Sequence, residues 1–279
     1  MPSPGEAAAA ALVHRQESCS LSAARRVAAL LDRDPEALSG EQYLPRGWHF
    51  FLLAGDTRRS ALRADGFPGL GVPMPDLGLP RLMLGGRTVN VLQDLPLGAS
   101  LARQSQVQAV QHKTTANGPM ALVTLAHALT LHGAAEPALL ETQTYVLLPA
   151  SPASASPAPA GGPLPPAPHR HTMVPDDTLL FQYSALGFNS HRIHLDRQHA
   201  QQVEGFPDLV VNGGLVTLLL TEFLQRQVGV TPQSWRVRHL APLYANRPLT
   251  LSALPDGAHW TLQAHDDQQR LAVDMKVTV

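Results

Sequence analysis

DLVVNGGLVTLLLTEFL, residues 208–224, is the stretch that decides how the chain is read. From 212 to 227 the sequence is apolar on nearly every face, the pattern of a helix buried on all sides. It opens on Asn212-Gly213-Gly214. Free backbone N–H groups at a helix start hold a developing oxyanion. Just upstream, residues 182–194 read QYSALGFNSHRIH and gather a hydroxyl, a carboxamide and imidazoles. A strand is expected to give way there to a short helical turn. A positioned imidazole moves a proton. Together the two stretches point to acid–base chemistry beside a carbonyl or thioester.

Strand signals surround the buried helix. After it, residues 235–240, 249–253, 260–264 and 271–279 read as strands, with Asp256-Gly257 as a hairpin turn. Before it, 178–185 reads as a strand and 190–201 as a short helical segment. The first half follows a similar order. Residues 21–31 form a helix that Ser20 or Ser22 caps, with Leu21, Ala24, Ala28 and Leu31 on one face. Residues 45–54, PRGWHFFLLA, are short, apolar and opened by a proline, which a helix start favours. Strands are expected at 88–91, 99–111, 120–131 and 139–148, between turns at Pro96-Leu97-Gly98, Asn117-Gly118-Pro119 and His132-Gly133. The Gly- and Pro-rich stretch 56–80 is a long loop, and such loops are usually functional.

Residues 150–168 carry Pro, Ala, Ser and Gly and no charge, so they cannot bury a core and read as a semi-stiff linker. His169 and His171 beside it are expected to be solvated. The chain therefore divides into a mobile lead-in (1–19), a first unit (20–149), the linker (150–170) and a second unit (171–279). Local physics gives an α+β protein of two similar units. One antiparallel sheet curled round a buried helix is a hot-dog fold, and two in tandem make a double hot dog.

Composition limits the function. Hydrophobic residues make up 44% of 279, enough for a real core. A formal net charge of −1 steers the chain to neither nucleic acid nor an anionic membrane. Charged residues are only 15%, which leaves surface to bury in a homodimer or higher homo-oligomer. One cysteine, Cys19, excludes an intrachain disulfide and fits a reducing compartment, so a cytoplasmic location is expected. No apolar run reaches the ~18 residues of a membrane span. No basic segment precedes the N-terminal alanine run, so no signal peptide is expected.

YSALGFNSHRIHLD resembles the signature GDxNPIHxD of the MaoC-like, R-specific enoyl-CoA hydratases. It is most similar to the branch holding mesaconyl-C(4)-CoA hydratase, itaconyl-CoA hydratase and the mitochondrial-type 3-hydroxyacyl-thioester dehydratases. VVNGGL at 210–215 resembles the family's second motif, a hydrophobic pair followed by HGxL, and LPRLMLGGR at 79–87 resembles the branch's LPRRMWAGGR. The resemblance implies a double hot dog, an acyl-CoA substrate and no cofactor beyond the coenzyme A of that substrate. It implies that His194 is the catalytic histidine, that Asn189 stands where the family has aspartate, and that Gly213 N–H polarises the thioester carbonyl. Asn212 replaces the histidine before that glycine. Asp196 is the HxD aspartate, a supporting residue, with Ser190 beside the pair.

Other readings stand beside these. A lone histidine is more often structural; Asp196 at i+2 does not face His194 on a helix and equally stabilises the short helix. A Gly-Gly helix start also serves backbone freedom alone. His191 and His194 form HxxH, but two imidazoles without cysteine or nearby glutamate are weak evidence, and no metal is expected. Coenzyme A carries phosphates, for which Arg81, Arg87, Lys113, Arg192, Arg236 and Arg238 are candidates. The first unit has no counterpart of NSHRIH, so it is expected to shape the acyl tunnel, with the 56–80 loop as its cap. Three functions remain: a hydro-lyase on a short branched dicarboxylic acyl-CoA, a 3-hydroxyacyl-thioester dehydratase of fatty-acid synthesis, and a non-catalytic acyl-thioester binding protein. Thioesterase is disfavoured by NSHRIH.

Overall fold

The computed structural model describes residues 11–279 except 75, 116–117 and 151–160. Asn117 of the expected turn and the centre of the expected linker lie outside the described residues.

Helix α1 (Leu21–Leu30) starts where the Ser20 hydroxyl accepts Ala23 N–H at 3.1 Å. Ahead of it, strand β1 (Val13–Ser18) pairs with β3 (Ser100–Thr115). Residues 13–18 are thus built into the sheet, which corrects the expected mobile lead-in, and Cys19 is fully buried. Strand β2 (Arg81–Val91) begins seven residues before the expected 88. β4 (Gly118–Leu131) and β5 (Leu139–Leu148) complete the first half. Its central apolar segment is only a 3-10 turn, His49–Leu53, not a helix comparable with the second half's.

The second half opens with β6 (His169–Met173), an edge strand that straddles the expected boundary between linker and second unit and was not expected there. His171 is half-buried and stacks on Phe223 at 6.4 Å, so it is not simply solvated. Residues 178–185 are not a strand but the body of helix α2 (Asp177–Leu186). Asp176 caps it by accepting Leu179 N–H at 2.8 Å, and Leu180, Tyr183 and Ser184 are buried at i, i+3 and i+4. The expected 190–201 segment is a 3-10 turn, Arg192–His194, followed by α3 (Arg197–Gln202). Helix α4 (Gly213–Phe223) buries eight of its eleven residues and runs on into a π-helical turn, Leu224–Val228. Strands β7 (Ser234–His239), β8 (Leu249–Asp256), β9 (His259–His265) and β10 (Leu271–Thr278) follow.

Among the described residues ten strands form one sheet, in the order β1-β3-β4-β5-β2-β7-β10-β9-β8-β6. The two halves of that order repeat one pattern, mirrored about the β2–β7 junction. This is the double hot dog. Across the junction Gly86 faces Arg238 and Asn90 faces Ser234. One core serves both halves: Trp48, Val89, Leu101 and Leu129 pack in the same cluster as Leu215, Leu218 and Leu220 of α4. Trp48 Nε1 also donates to Glu222 at 3.2 Å.

Candidate active site

A cavity of about 390 Å3 lies where the first turn of α4, the NSHRIH segment, strand β2 and the 56–80 loop meet. His194, Asn189, Asn212 and Gly213 all line it. The two motifs are tied together by backbone: Val210 N–H donates to Ile193 O at 2.9 Å, and His194 Nδ1 lies 2.7 Å from Val210 O. A carbonyl only accepts, so Nδ1 carries the proton and Nε2 keeps its lone pair. Burial, then the neighbouring His191, pull the His194 pKa down to about 3, against the Val210 hydrogen bond. His194 thus sits well below the near-neutral value of an unperturbed histidine and is neutral at pH 7.

Asn189 Oδ1 accepts His191 N–H at 3.1 Å, which shapes the turn, and its NH2 has no partner among the described residues. Asn212 opens α4 without capping it. Its Nδ2 donates to Ser184 at 3.2 Å, and its buried Oδ1 has no partner among the described residues. No side chain at the N-cap thus competes for the first-turn N–H groups of α4. A Cβ on Gly214 would collide with the Tyr183 hydroxyl and stand 3.5 Å from Arg87 Nη1, so only glycine lets those groups close over the helix start.

The 56–80 loop reaches the motif directly. Ser190 Oγ donates to Gly66 O at 2.6 Å, and Arg192 N–H donates to Asp65 O at 2.8 Å. Gly66 has φ +75, and a Cβ there would run into Ser190 O. His191 Nε2 is 3.5 Å from Asp65 Oδ2. Burial raises the Asp65 pKa, but hydrogen bonds from His191 and Phe67 N–H outweigh it and hold the carboxyl below its usual range. Phe67, Gly69 and Gly71 then form part of the cavity wall. Asp196 accepts His199 N–H at 3.0 Å and pairs with Arg192 at 2.6 Å, so it caps α3 and does not line the cavity.

The six basic candidates do not converge. Arg81 pairs with Glu204, Arg192 with Asp196 and Arg238 with Asp274, while Lys113 and Arg236 are exposed on β3 and β7. Arg87 alone of the six lines the cavity. It is buried rather than placed where a phosphate rides, and ion-paired with Glu141 at 2.6 Å. Around that pair lie polar residues the sequence reading missed: His49, His127, Gln143, Tyr145, Tyr183 and His239. They come from five separate elements, Gln143 and Tyr145 sharing β5, and only the fold brings them together. His239 has its ring carbon Cε1 3.2 Å from the Cβ position of Gly213, and burial followed by Arg87 lowers its pKa to about 3.

Comparison with known proteins comes to the same place. Residues 47–245 match the family model described as hydroxyacyl-thioester dehydratase type 2. Mesaconyl-C(4)-CoA hydratase of Chloroflexus aurantiacus is 33% identical over 264 residues, 94% of this chain and 93% of that protein. The mitochondrial hydroxyacyl-thioester dehydratase type 2 of Schizosaccharomyces pombe is 30% identical over 95 residues, 33% of this chain and 32% of that protein. Among solved structures, a MaoC-like dehydratase from Phytophthora capsici superposes with a TM-score of 0.71 at 15% identity, covering 96% of this chain and 95% of that one. A Mycobacterium tuberculosis protein described as a double hotdog gives 0.54 at 17% identity, over 97% and 95%.

Proposed function

Because this chain belongs to the hydroxyacyl-thioester dehydratase type 2 family and is an acyl-thioester hydratase/dehydratase, we propose that it adds and removes water across the α,β double bond of a short, branched dicarboxylic acyl-CoA such as mesaconyl-C(4)-CoA. The carrying observation is the shared cavity: a neutral imidazole with Nε2 free stands in the same wall as an uncapped helix start. In this reading one water accepts from the Asn189 NH2 and donates to His194 Nε2. His194 takes the proton as the water oxygen bonds to the β-carbon. The electron pair of the double bond moves onto the thioester oxygen, which the Gly213 N–H holds; one such donor is worth roughly 3 kcal/mol. The imidazolium returns its proton to the α-carbon. Asn189 orients the water without accepting its proton, so the whole transfer falls to His194.

The similarity to mesaconyl-C(4)-CoA hydratase over nearly the full chain favours the dicarboxylic acyl group. The family model favours the second reading, a 3-hydroxyacyl-thioester dehydratase of fatty-acid synthesis. The single free cysteine supports a reducing, cytoplasmic setting. Enoyl-thioester absorbance, followed in the ultraviolet over mesaconyl-C(4)-CoA, itaconyl-CoA, crotonyl-CoA and a medium-chain enoyl-CoA, tests the proposal. Turnover greatest on the two dicarboxylic thioesters is expected. Turnover confined to the straight, unsubstituted chains would transfer the case to the second reading.

A further inference from the structure

The mechanism leaves one wall of the cavity unused, and it is built from the first half. Arg87 on β2 is 8% exposed, Glu141 on β5 1% and His127 on β4 6%. Glu141 is saturated: it accepts Arg87 Nε at 2.8 Å, Gln143 Nε2 at 2.6 Å and His49 Nε2 at 2.7 Å. Arg87 thereby commits Nε and Nη2 to Glu141, while Nη1, with no hydrogen bond among the described residues, stands over the start of α4. His127 Nδ1 pairs with Ser105 Oγ at 2.8 Å, and its buried Nε2 has no partner among the described residues. When Ser105 donates to Nδ1, that Nε2 carries a proton and is a second donor. The Tyr183 hydroxyl stands beside Arg87 Nη1 over Gly214 and has its own proton to give.

A wall of this kind has no use for a plain alkyl chain. Packing methyl and methylene groups against Arg87 Nη1 would strip it of water and give nothing back, and would leave the buried His127 Nε2 unpaired. A buried ion pair is seldom kept for stability alone. An acyl group ending in a carboxylate supplies what these donors lack. The start of α4, which holds the thioester oxygen in the proposed reaction, lies next to Arg87, so the carboxylate must sit only a few bonds from the thioester.

We infer that Arg87, held by Glu141 and aided by His127 and Tyr183, is the specificity-determining residue that binds a second carboxylate on a short acyl chain. The inference rests on the acyl-thioester reading above and adds the group that selects the substrate. Its test compares kcat/KM on mesaconyl-C(4)-CoA and on crotonyl-CoA, which lacks the distal carboxylate. The wild type favours the former. In the double variant Arg87→Gln, Glu141→Gln, which leaves no charge buried alone, that ratio falls roughly 10- to 100-fold, the worth of a hydrogen bond to a charged group. If the double variant does not fold, Arg87→Lys keeps a cation beside Glu141 but removes the free Nη1, and the ratio again falls. A wild type that turns over crotonyl-CoA as well as mesaconyl-C(4)-CoA, or variants with an unchanged ratio, would overturn the inference while leaving the hydratase reading intact. If no enoyl thioester is turned over, the hydratase reading fails on its own, and calorimetric binding of succinyl-CoA against butyryl-CoA decides the inference. Tighter succinyl-CoA binding that the variants lose supports it; equal binding of the two sinks it.

Discussion

His194 and Asn189 divide one task between two unlike side chains. His194→Ala is expected to lower kcat at least about a hundredfold, the usual share of a general acid–base group, with the circular dichroism spectrum unchanged. Asn189→Ala costs less, because orientation alone is lost. Asn189→Asp is tolerated: one carboxylate oxygen takes over the His191 N–H that Oδ1 accepts now, and the other meets the water. The base works only as neutral imidazole, and its pKa is held down to about 3. kcat/KM should therefore stay level from pH 8 to about pH 5, and a steep fall centred near pH 6.5 would show that His194 titrates like an exposed histidine. His194, Asn189 and Gly213 were legible because a contiguous motif carries them. Arg87 was visible only as a basic residue, because its partner Glu141 is 54 positions away and nothing in either neighbourhood announces a pair.

The loop of residues 56–80 joins the two halves at the site, and Gly66 is its point of closest approach. With φ +75 and Ser190 O in the space of a side chain, Gly66→Ala both strains the backbone and pushes the loop off NSHRIH. Gly78 in the same loop has φ +66 but nothing within 4 Å, so Gly78→Ala carries the strain, about 1 kcal/mol, without the collision. Gly66→Ala is expected to reduce kcat/KM by about tenfold or more while Gly78→Ala does not; equal effects would show that strain, not the contact, matters. The loop's length and position revealed that it caps the site. Other elements were harder to read. β1 and β6 were missed because they are the two edges of the sheet, where polar sequences such as VHRQES and HRHTM bury only one face and show no apolar run. The α2 stretch reads as a strand from sequence because Thr178, Phe181 and Tyr183 favour strands locally. The Asp176 cap and the i, i+3, i+4 burial overrode that preference.

At the scale of the whole molecule, the fold keeps three imidazoles neutral around one cavity. His127 is lowered to about 4, and His194 and His239 to about 3, burial being the largest cause in each. In the unfolded chain all three titrate near the ordinary histidine value of about 6.5. Between those limits the unfolded state binds more protons than the folded one, so stability rises with pH. The contribution is complete above about pH 6.5 and is lost as the pH falls towards the folded values of about 4 and 3. Each group costs about 1.4 kcal/mol per pH unit inside that window, and three acting together about 4 kcal/mol per unit. Glu141 and Asp65, held below the usual carboxylate range by their partners, add to the loss only at more acid pH. Urea unfolding midpoints should thus be nearly flat from pH 8 to 7 and drop sharply between pH 6.5 and 5. His239→Phe should make that drop shallower, since its Nε2 is buried without a partner among the described residues and phenylalanine has no proton to take up. A midpoint that does not move between pH 7.5 and 5 would mean that these rings are hydrated or already charged in the folded protein, and the neutral His194 on which the reaction depends would fall with them.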